Sequence, residues 1–149
     1  MGMKQISVFL ENTTGRLCEV TRTLAKAGIN LRAINIADTA EFGILRLIVD
    51  KTDEAEKALR AAGFTIKMTT VAAVEIEDKP GSLDKLIVMI QKFGINIEYL
   101  YASLGGSVPE GIGASGGSVG KAVVVFKLED HEKGFALLEK NGLVLAEKL

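Results

Sequence analysis

The sequence predicts an α+β protein of two βαββαβ units, packed side by side into one eight-stranded antiparallel sheet with the helices on one face. Three observations predict it. The chain repeats itself, each repeat runs through strand and helix periods in the same order, and only two residues separate the repeats. The chain aligns on itself without gaps when Glu11 is set on Glu77, which also sets Gly15 on Gly81, Leu17 on Leu83 and Gly28-Ile29-Asn30 on Gly94-Ile95-Asn96. Further on, Leu59 meets Leu138 and Gly63-Phe64 meets Gly142-Leu143, so the offset grows from 66 (77 − 11) to 79 (138 − 59). The 13 extra residues fall in segment 105–120, GGSVPEGIGASGGSVG, where ten of sixteen residues are Gly or Ser. A repeat of this length marks a duplicated supersecondary unit, with repeat one at 1–69 and repeat two at 70–149, the latter carrying the insert.

The elements follow from period and punctuation. In the first repeat, residues 4–10 read as a strand and 15–27 as a helix, with Leu17, Val20, Thr21 and Leu24 on one face and Gly28 as its stop. Residues 30–37 and 43–49 form a hairpin around Asp38-Thr39-Ala40-Glu41. Residues 53–62 are the second helix, stopped by Gly63, and 64–69 the last strand. The second repeat follows suit. Its strand 71–76 precedes a helix over 80–93 that turns Leu83, Leu86, Ile87, Ile90 and Phe93 inward. Strands 95–103 and 122–128, helix 130–140 and strand 143–147 complete it.

This order is the ferredoxin-like arrangement, with both helices on one sheet face. Thr69-Thr70 is too short a junction to act as a linker, so the repeats are expected to pack together. In the usual strand order the second strand of each unit is an edge, and an apolar edge such as residues 30–36 needs cover. The equivalent edge, 96–103, would supply it and complete eight strands.

Composition excludes several classes of function. With 48% hydrophobic residues in 149, the chain can build a core without staples. Cys18 is the sole cysteine, which rules out an internal disulfide and every multi-cysteine metal or redox motif and fits a reducing cytoplasm. A net charge of -1 and a pI of about 5.9 leave no field to gather nucleic acid or an anionic membrane. No segment approaches the roughly 18 apolar residues of a membrane span, and Met1-Gly2-Met3-Lys4 leads straight into a strand pattern rather than a signal peptide. Ile6 stands where a myristoylation motif wants Ser or Thr.

Catalysis finds no footing. His131, the only histidine, lies in Glu129-Asp130-His131-Glu132 and reads as a solvated helix start, since no second His or Cys accompanies it as metal or catalytic partner. Cys18, one residue past Leu17, reads as a half-buried helix thiol. Tyr99 and Tyr101 share a strand face and read as packing residues, without the basic clustering of an RNA-binding sheet. The insert ends in no Gly-Lys-Ser or Gly-Lys-Thr and reads as a mobile hairpin extension, able to act as a flap. No nucleophile with a base, no metal set, no cofactor motif and no fixed pair of carboxylates emerges, so the protein is not expected to be an enzyme.

The informative feature is the loop after the first strand of each repeat. Glu11-Asn12-Thr13-Thr14-Gly15-Arg16-Leu17 has its twin in Glu77-Asp78-Lys79-Pro80-Gly81-Ser82-Leu83. The glycine lets the chain tighten and exposes N–H groups at a helix start, where the helix dipole favours a carboxylate. The side-chain oxygens of Asn12 and Asp78 offer acceptors for an ammonium, with Asn30-Leu31 and Asn96-Ile97 opening the presumed interface strands. An Asx residue ahead of a helix is also how a plain turn and cap would be written. A cap does not require the second Asn, eighteen positions on, which both repeats carry.

These residues resemble the ACT domains, small βαββαβ modules that bind amino acids and regulate metabolic enzymes. The resemblance covers nearly the whole chain apart from the insert. Glu11-Asn12-x-x-Gly15-x-Leu17 with Gly28-Ile29-Asn30 is similar to the serine-sensing members, in which the loop Asn and the later Asn contact the effector between two modules. The second repeat carries the commoner Asp78-Lys79-Pro80-Gly81-Ser82-Leu83, whereas Thr14 stands where Pro is usual. The chain as a whole resembles stand-alone tandem ACT proteins. That implies a cytoplasmic amino-acid sensor that forms a homodimer and acts on a metabolic enzyme. Its effector would lie at the seam between the repeats, near Asn12, Thr14, Gly15, Arg16, Leu17, Asn30 and Leu31, and near Asp78, Pro80, Gly81, Ser82, Leu83, Asn96 and Ile97. Two other classes stay open, a docking module whose loops are only caps and a nucleotide-sensing signal protein.

Overall fold

The computed structural model describes residues 2–38, 42–103 and 120–145. The hairpin turn at 39–41 and the insert up to residue 119 lie outside the described residues, so the expectations of a flap and of mobility there do too. The elements run β1 (Met3–Glu11), α1 (Arg16–Lys26), β2 (Leu31–Asp38), β3 (Phe42–Val49), α2 (Thr52–Ala61), β4 (Thr65–Glu77), α3 (Ser82–Lys92), β5 (Ile97–Ala102), β6 (Lys121–Leu128), α4 (His131–Lys140) and β7 (Val144–Leu145). They form two compact units, one of residues 4–69 and the other of residues 2–3 with 70–145.

In the first unit the strand order is β2-β3-β1-β4, with β3 antiparallel to both β1 and β2. This is the ferredoxin-like order. Alternation along β1 sends Ile6, Val8 and Leu10 into the core, where they meet Val20 and Leu24 of α1 and Ala55 and Leu59 of α2. The register Leu10↔Gly43, Glu11↔Phe42 and Asp38↔Gly43 brings the end of β1, the end of β2 and the start of β3 together under the loop that leads into α1. Asn30, at the head of β2, lies at the other end of the sheet, where Leu31 pairs with Val49.

The second unit repeats the plan as β5-β6-β4-β7, all neighbours antiparallel. Leu86 and Ile90 of α3 and Leu137 and Leu138 of α4 pack on Val74, Phe126 and Leu128. Helix α4 can lie this close because residue 134 is glycine: a Cβ there would stand 2.3 Å from Cδ1 of buried Leu128.

The structure is α+β, with four helices and antiparallel strand pairing, but the expected eight strands number seven among the described residues. The last strand of the first repeat and the first strand of the second are one strand of 13 residues, β4. Its sequence TIKMTTVAAVEIE contains no Gly, Pro, Asn or Asp to turn the chain, and β-branched Thr and Val carry the extended backbone across residues 69 and 70.

Side-chain expectations also change: Leu17 and Phe93, expected on the inner faces of their helices, keep 41% and 50% of their surface exposed. Cys18 is exposed rather than half-buried, because two residues of helix separate it from buried Val20, a rotation of roughly 200° to the outer face. Arg22 Nη2 lies 3.6 Å from its Sγ. His131 is half-buried rather than solvated: its ring packs on Phe135 one turn on, with centroids 5.7 Å apart, and a Cβ at Gly2 would approach Nε2 to 2.8 Å. Tyr101 is buried, as a packing residue would be.

Candidate functional site

The loop between β1 and α1 is shaped by Gly15, which takes the left-handed conformation at φ 92° and serves as the N-cap of α1. Gly81 does the same for α3 at φ 87°. Such angles are open to glycine and strained for residues with a Cβ. No side chain caps either helix, whereas α4 has the Asp130 side chain accepting from the Lys133 N–H at 3.0 Å. Asn12 and Asp78 are therefore not helix caps. The Arg16 N–H donates to the Thr13 carbonyl at 3.4 Å and the Glu19 N–H to the Gly15 carbonyl at 3.0 Å, which leaves the N–H groups of Leu17 and Cys18 as the uncapped donors of this helix start.

A cavity of about 380 Å³ opens at this place in the first unit. The loop contributes Glu11, Asn12 and Thr13, and the first two residues of α1, Arg16 and Leu17, form one wall. The rest is sheet: Leu10 from β1, Ile36 and Ala37 from the end of β2, and Gly43 from β3. All nine lining residues belong to the first repeat. Leu17 and Ile36 keep 41% and 53% of their surface exposed, a large apolar exposure at the mouth of a concave site.

Arg16 is the charged group of the wall. Its Nη1 donates to Glu19 Oε2 at 2.6 Å, and its guanidinium carbon stands 4.8 Å from the centroid of the buried Phe64 ring. Its Nε is buried with no hydrogen-bond partner among the described residues. A guanidinium has five N–H donors in a rigid fork suited to a carboxylate. The stack on Phe64 holds that fork in place beside the cavity.

The other residues singled out from the sequence are distributed differently. Thr14 and Gly15 are exposed in the same loop without lining the cavity. Asn30 and Leu31 lie at the far end of β2, six and five residues before Ile36, or about 17–20 Å along the strand. The Asn30 N–H donates to Asp50 Oδ1 at 2.9 Å and its carbonyl accepts from the Asp50 N–H at 3.2 Å. Asn96 repeats the second contact, its carbonyl accepting from the Glu129 N–H at 3.0 Å, and Ile97 packs against the core of its unit. The matched Asn residues thus share a backbone role at the head of a strand.

In the second unit Asp78 and Pro80 are exposed, the Asp78 N–H donating to the Gly120 carbonyl at 2.7 Å. Ser82 opens α3, and Leu83 packs against the core. Here Lys79 of the loop pairs with Glu77 at the end of β4, and beside it Lys121 Nζ of β6 lies 2.5 Å from Glu75 Oε1 of β4. The hydrogen bond from Lys79, with its positive charge, holds the Glu77 carboxyl below the usual carboxylate range, and Lys85 and Lys121 add to the effect. Among the described residues no three His, Cys, Asp or Glu side chains group as metal ligands would, and no helix is long and apolar enough to cross a membrane.

Sequence reasoning missed Leu10, Glu11, Thr13, Ile36, Ala37 and Gly43 as lining residues. The last three had no local signal, because they reach the loop only through strand register. Glu11 did have one, as it is repeated at Glu77.

Two ferredoxin-like units, each with a glycine-capped helix start after its first strand, define a paired βαββαβ module. The chain belongs to the ACT domain pair family, whose match spans residues 1–146. It is similar to the crystal structure of a protein from Bacteroides thetaiotaomicron, at 37% identity and a TM-score of 0.84, covering 98% of this chain and 92% of that one. The fold is shared with the regulatory subunit of aspartate kinase from Thermus thermophilus in its ligand-free form, at 19% identity and a TM-score of 0.64, covering 95% and 94%. The corresponding subunit from Thermus flavus gives 19% identity and a TM-score of 0.57, covering 92% and 90%. No curated protein matches. The family match covers nearly the whole chain, and the likeness to the two Thermus subunits is one of fold.

Proposed function

We propose that the protein is a non-catalytic sensor that binds a small amino acid in the cavity of its first repeat and passes the bound state to a metabolic enzyme. One observation carries the reading: the loop residue that would ordinarily cap a helix does not, and faces a cavity instead. Asn12 lines the space, α1 starts without a side-chain cap, and Gly15 takes the N-cap position. A zwitterion suits these groups. The first-turn N–H groups and the helix dipole favour its carboxylate, while the Asn12 side-chain oxygen and the Glu11 carboxylate accept from its ammonium. The volume of about 380 Å³ lies at the lower end for small-molecule pockets, which fits a ligand of metabolite size. The two Thermus structures are described as regulatory subunits of an amino-acid kinase, which supports the regulatory half of the reading.

A thermal-shift screen of the full chain against the twenty amino acids, followed by common nucleotides, tests it. A ligand present at about a hundred times its dissociation constant adds roughly 2.7 kcal/mol, several degrees for a chain of this size. Silence with every amino acid at millimolar concentration defeats the proposal. A response to nucleotides alone would move the protein to a different class of sensor.

A further inference from the structure

We infer that the first repeat's cavity selects an α-amino acid with an uncharged, apolar side chain, and that Arg16 is the residue that takes the ligand's carboxylate. This rests on the reading of the cavity as an amino-acid site and adds the identity of its occupant. Three features support it.

The first is the division of the wall into two chemistries. Arg16 opens α1, so its guanidinium and the first-turn N–H groups of the helix favour one and the same negative group. The loop adds Glu11, Asn12 and Thr13, and the rest of the lining is Leu17, Ile36, Ala37, Leu10 and the bare backbone of Gly43. Among the described residues no second cation lines the cavity to neutralise an acidic side chain. A ligand with one carboxylate and a hydrocarbon remainder satisfies both parts, and a second carboxylate would face Glu11 and the apolar wall unpaired.

The second is the state of Arg16 in the ligand-free chain. Only Nη1 has an anionic partner, Glu19, while Nε is buried without an acceptor. Glu19 lies three residues on, in the same helix, and is itself exposed. An exposed pair of this kind adds little stability, so the fork can turn toward an incoming carboxylate at small cost. Phe64, 4.8 Å from the guanidinium carbon, supports the group on one side.

The third is an internal control within the chain. By the repeat alignment and the matching registers Leu10↔Gly43 and Ile76↔Ala122, the second repeat places Ser82 for Arg16, Leu143 for Phe64, Ala122 for Gly43 and Ala102 for Ile36. The cation, its aromatic support, the open floor and the large apolar wall residue change together. Two copies that keep the loop glycine but lose this set in one of them indicate a set that works as a unit. Side-chain selection of this kind then belongs to the first repeat.

Isothermal titration of the full chain with L-leucine, L-leucinamide, L-aspartate, L-lysine and L-alanine tests the inference on the unchanged protein. L-leucine is expected to bind tightest. L-leucinamide, which lacks the carboxylate, should bind about tenfold or more weaker, the loss of one charge-assisted contact. Arg16→Met should lose a similar factor for L-leucine and nothing for L-leucinamide, and Arg16→Lys should recover part of it. Gly43→Ala brings a methyl to 3.6–3.8 Å from Ala37 O and the Ile36 side chain, so it should weaken L-leucine more than L-alanine. L-aspartate or L-lysine binding as tightly as L-leucine overturns the inference, as does an Arg16→Met protein that binds L-leucine unchanged. Either result leaves the amino-acid reading standing. Absence of binding by any amino acid defeats both, and the ligand series on the natural chain decides even if a variant fails to fold.

Discussion

Replacing Asn12 and Asp130 by Ala separates a ligand loop from a helix cap. Both are short polar residues ahead of a helix, and from the sequence both are plausible caps. In the structure Asp130 is one, its Oδ1 accepting the Lys133 N–H at 3.0 Å, and Asn12 is not, since α1 has Gly15 as its N-cap and no side-chain cap. Removing a true cap costs about 1 kcal/mol, whereas an exposed polar residue without such a bond is worth within about 0.5 kcal/mol either way. With roughly 2.1 cal/mol/K of unfolding entropy per residue, 149 residues give about 0.3 kcal/mol/K. Asp130→Ala should therefore lower Tm by about 3 °C, and Asn12→Ala by less than about 1.5 °C. Urea midpoints at constant m-value, measured without ligand, should rank the variants the same way. With an amino acid bound the order reverses, because Asn12→Ala loses the ligand's stabilisation and Asp130→Ala keeps it. Equal losses in the ligand-free chain would make Asn12 a structural residue and remove the observation on which the proposed function rests.

Other predictions follow from single contacts. Gly134→Ala, which would bring ordinary helices up to about 1 kcal/mol of stability, should destabilise this one by about 1–2 kcal/mol in urea unfolding, because its methyl meets Leu128 at 2.3 Å. Leu59→Ala and Leu138→Ala, both fully buried, should each cost about 2–5 kcal/mol, measured the same way. Gly15→Ala and Gly81→Ala force a Cβ into left-handed backbone and should cost about 1–2 kcal/mol each despite the open space around them. The Glu77 carboxyl should titrate below the ordinary carboxylate range by NMR, and Lys79→Met should raise it. Because its folded value is the depressed one, the stability this pair contributes is present above the unfolded carboxylate pKa and is lost as pH falls through the folded value. A Glu77 titration unmoved by Lys79→Met would discard the ion pair as its cause.

Much of the fold was legible because local chemistry wrote it twice. Glycines 28 and 63 were read as helix stops, and both, with their repeat counterparts 94 and 142, have positive φ just past the ends of α1, α2, α3 and α4. The continuity of β4 was not read, although its ingredients were in view: a junction without a turn residue leaves a strand no reason to end. The loop half of the cavity was found through Asn12, Arg16 and Leu17. Its sheet half was not, because Ile36, Ala37 and Gly43 gain their place only when β2 and β3 pair in one register, and register is a long-range property. The shared Asn30 and Asn96 were given a ligand role on their repetition and on the resemblance to serine-sensing modules, and in the structure neither lines the cavity of the first repeat. Their carbonyls receive the N–H of Asp50 and Glu129 at the head of a strand, a backbone task that recurs because the fold recurs.

Repetition therefore carries two kinds of information, which the two loops separate. What both copies keep is what the backbone needs: a left-handed glycine at 15 and 81, and a helix starting directly after it. What differs is side-chain chemistry. Around the first loop a guanidinium sits over Phe64 beside a cavity floored by Gly43. Around the second, Lys79 pairs with Glu77 and Lys121 with Glu75, whereas Arg16 of the first keeps a buried Nε without an acceptor among the described residues beside its pair with Glu19. A bound zwitterion gains most where donors and acceptors still lack partners and least where they already have them. By that argument the first loop is the stronger place for an amino acid, and the second has kept the fold device while its chemistry has moved elsewhere.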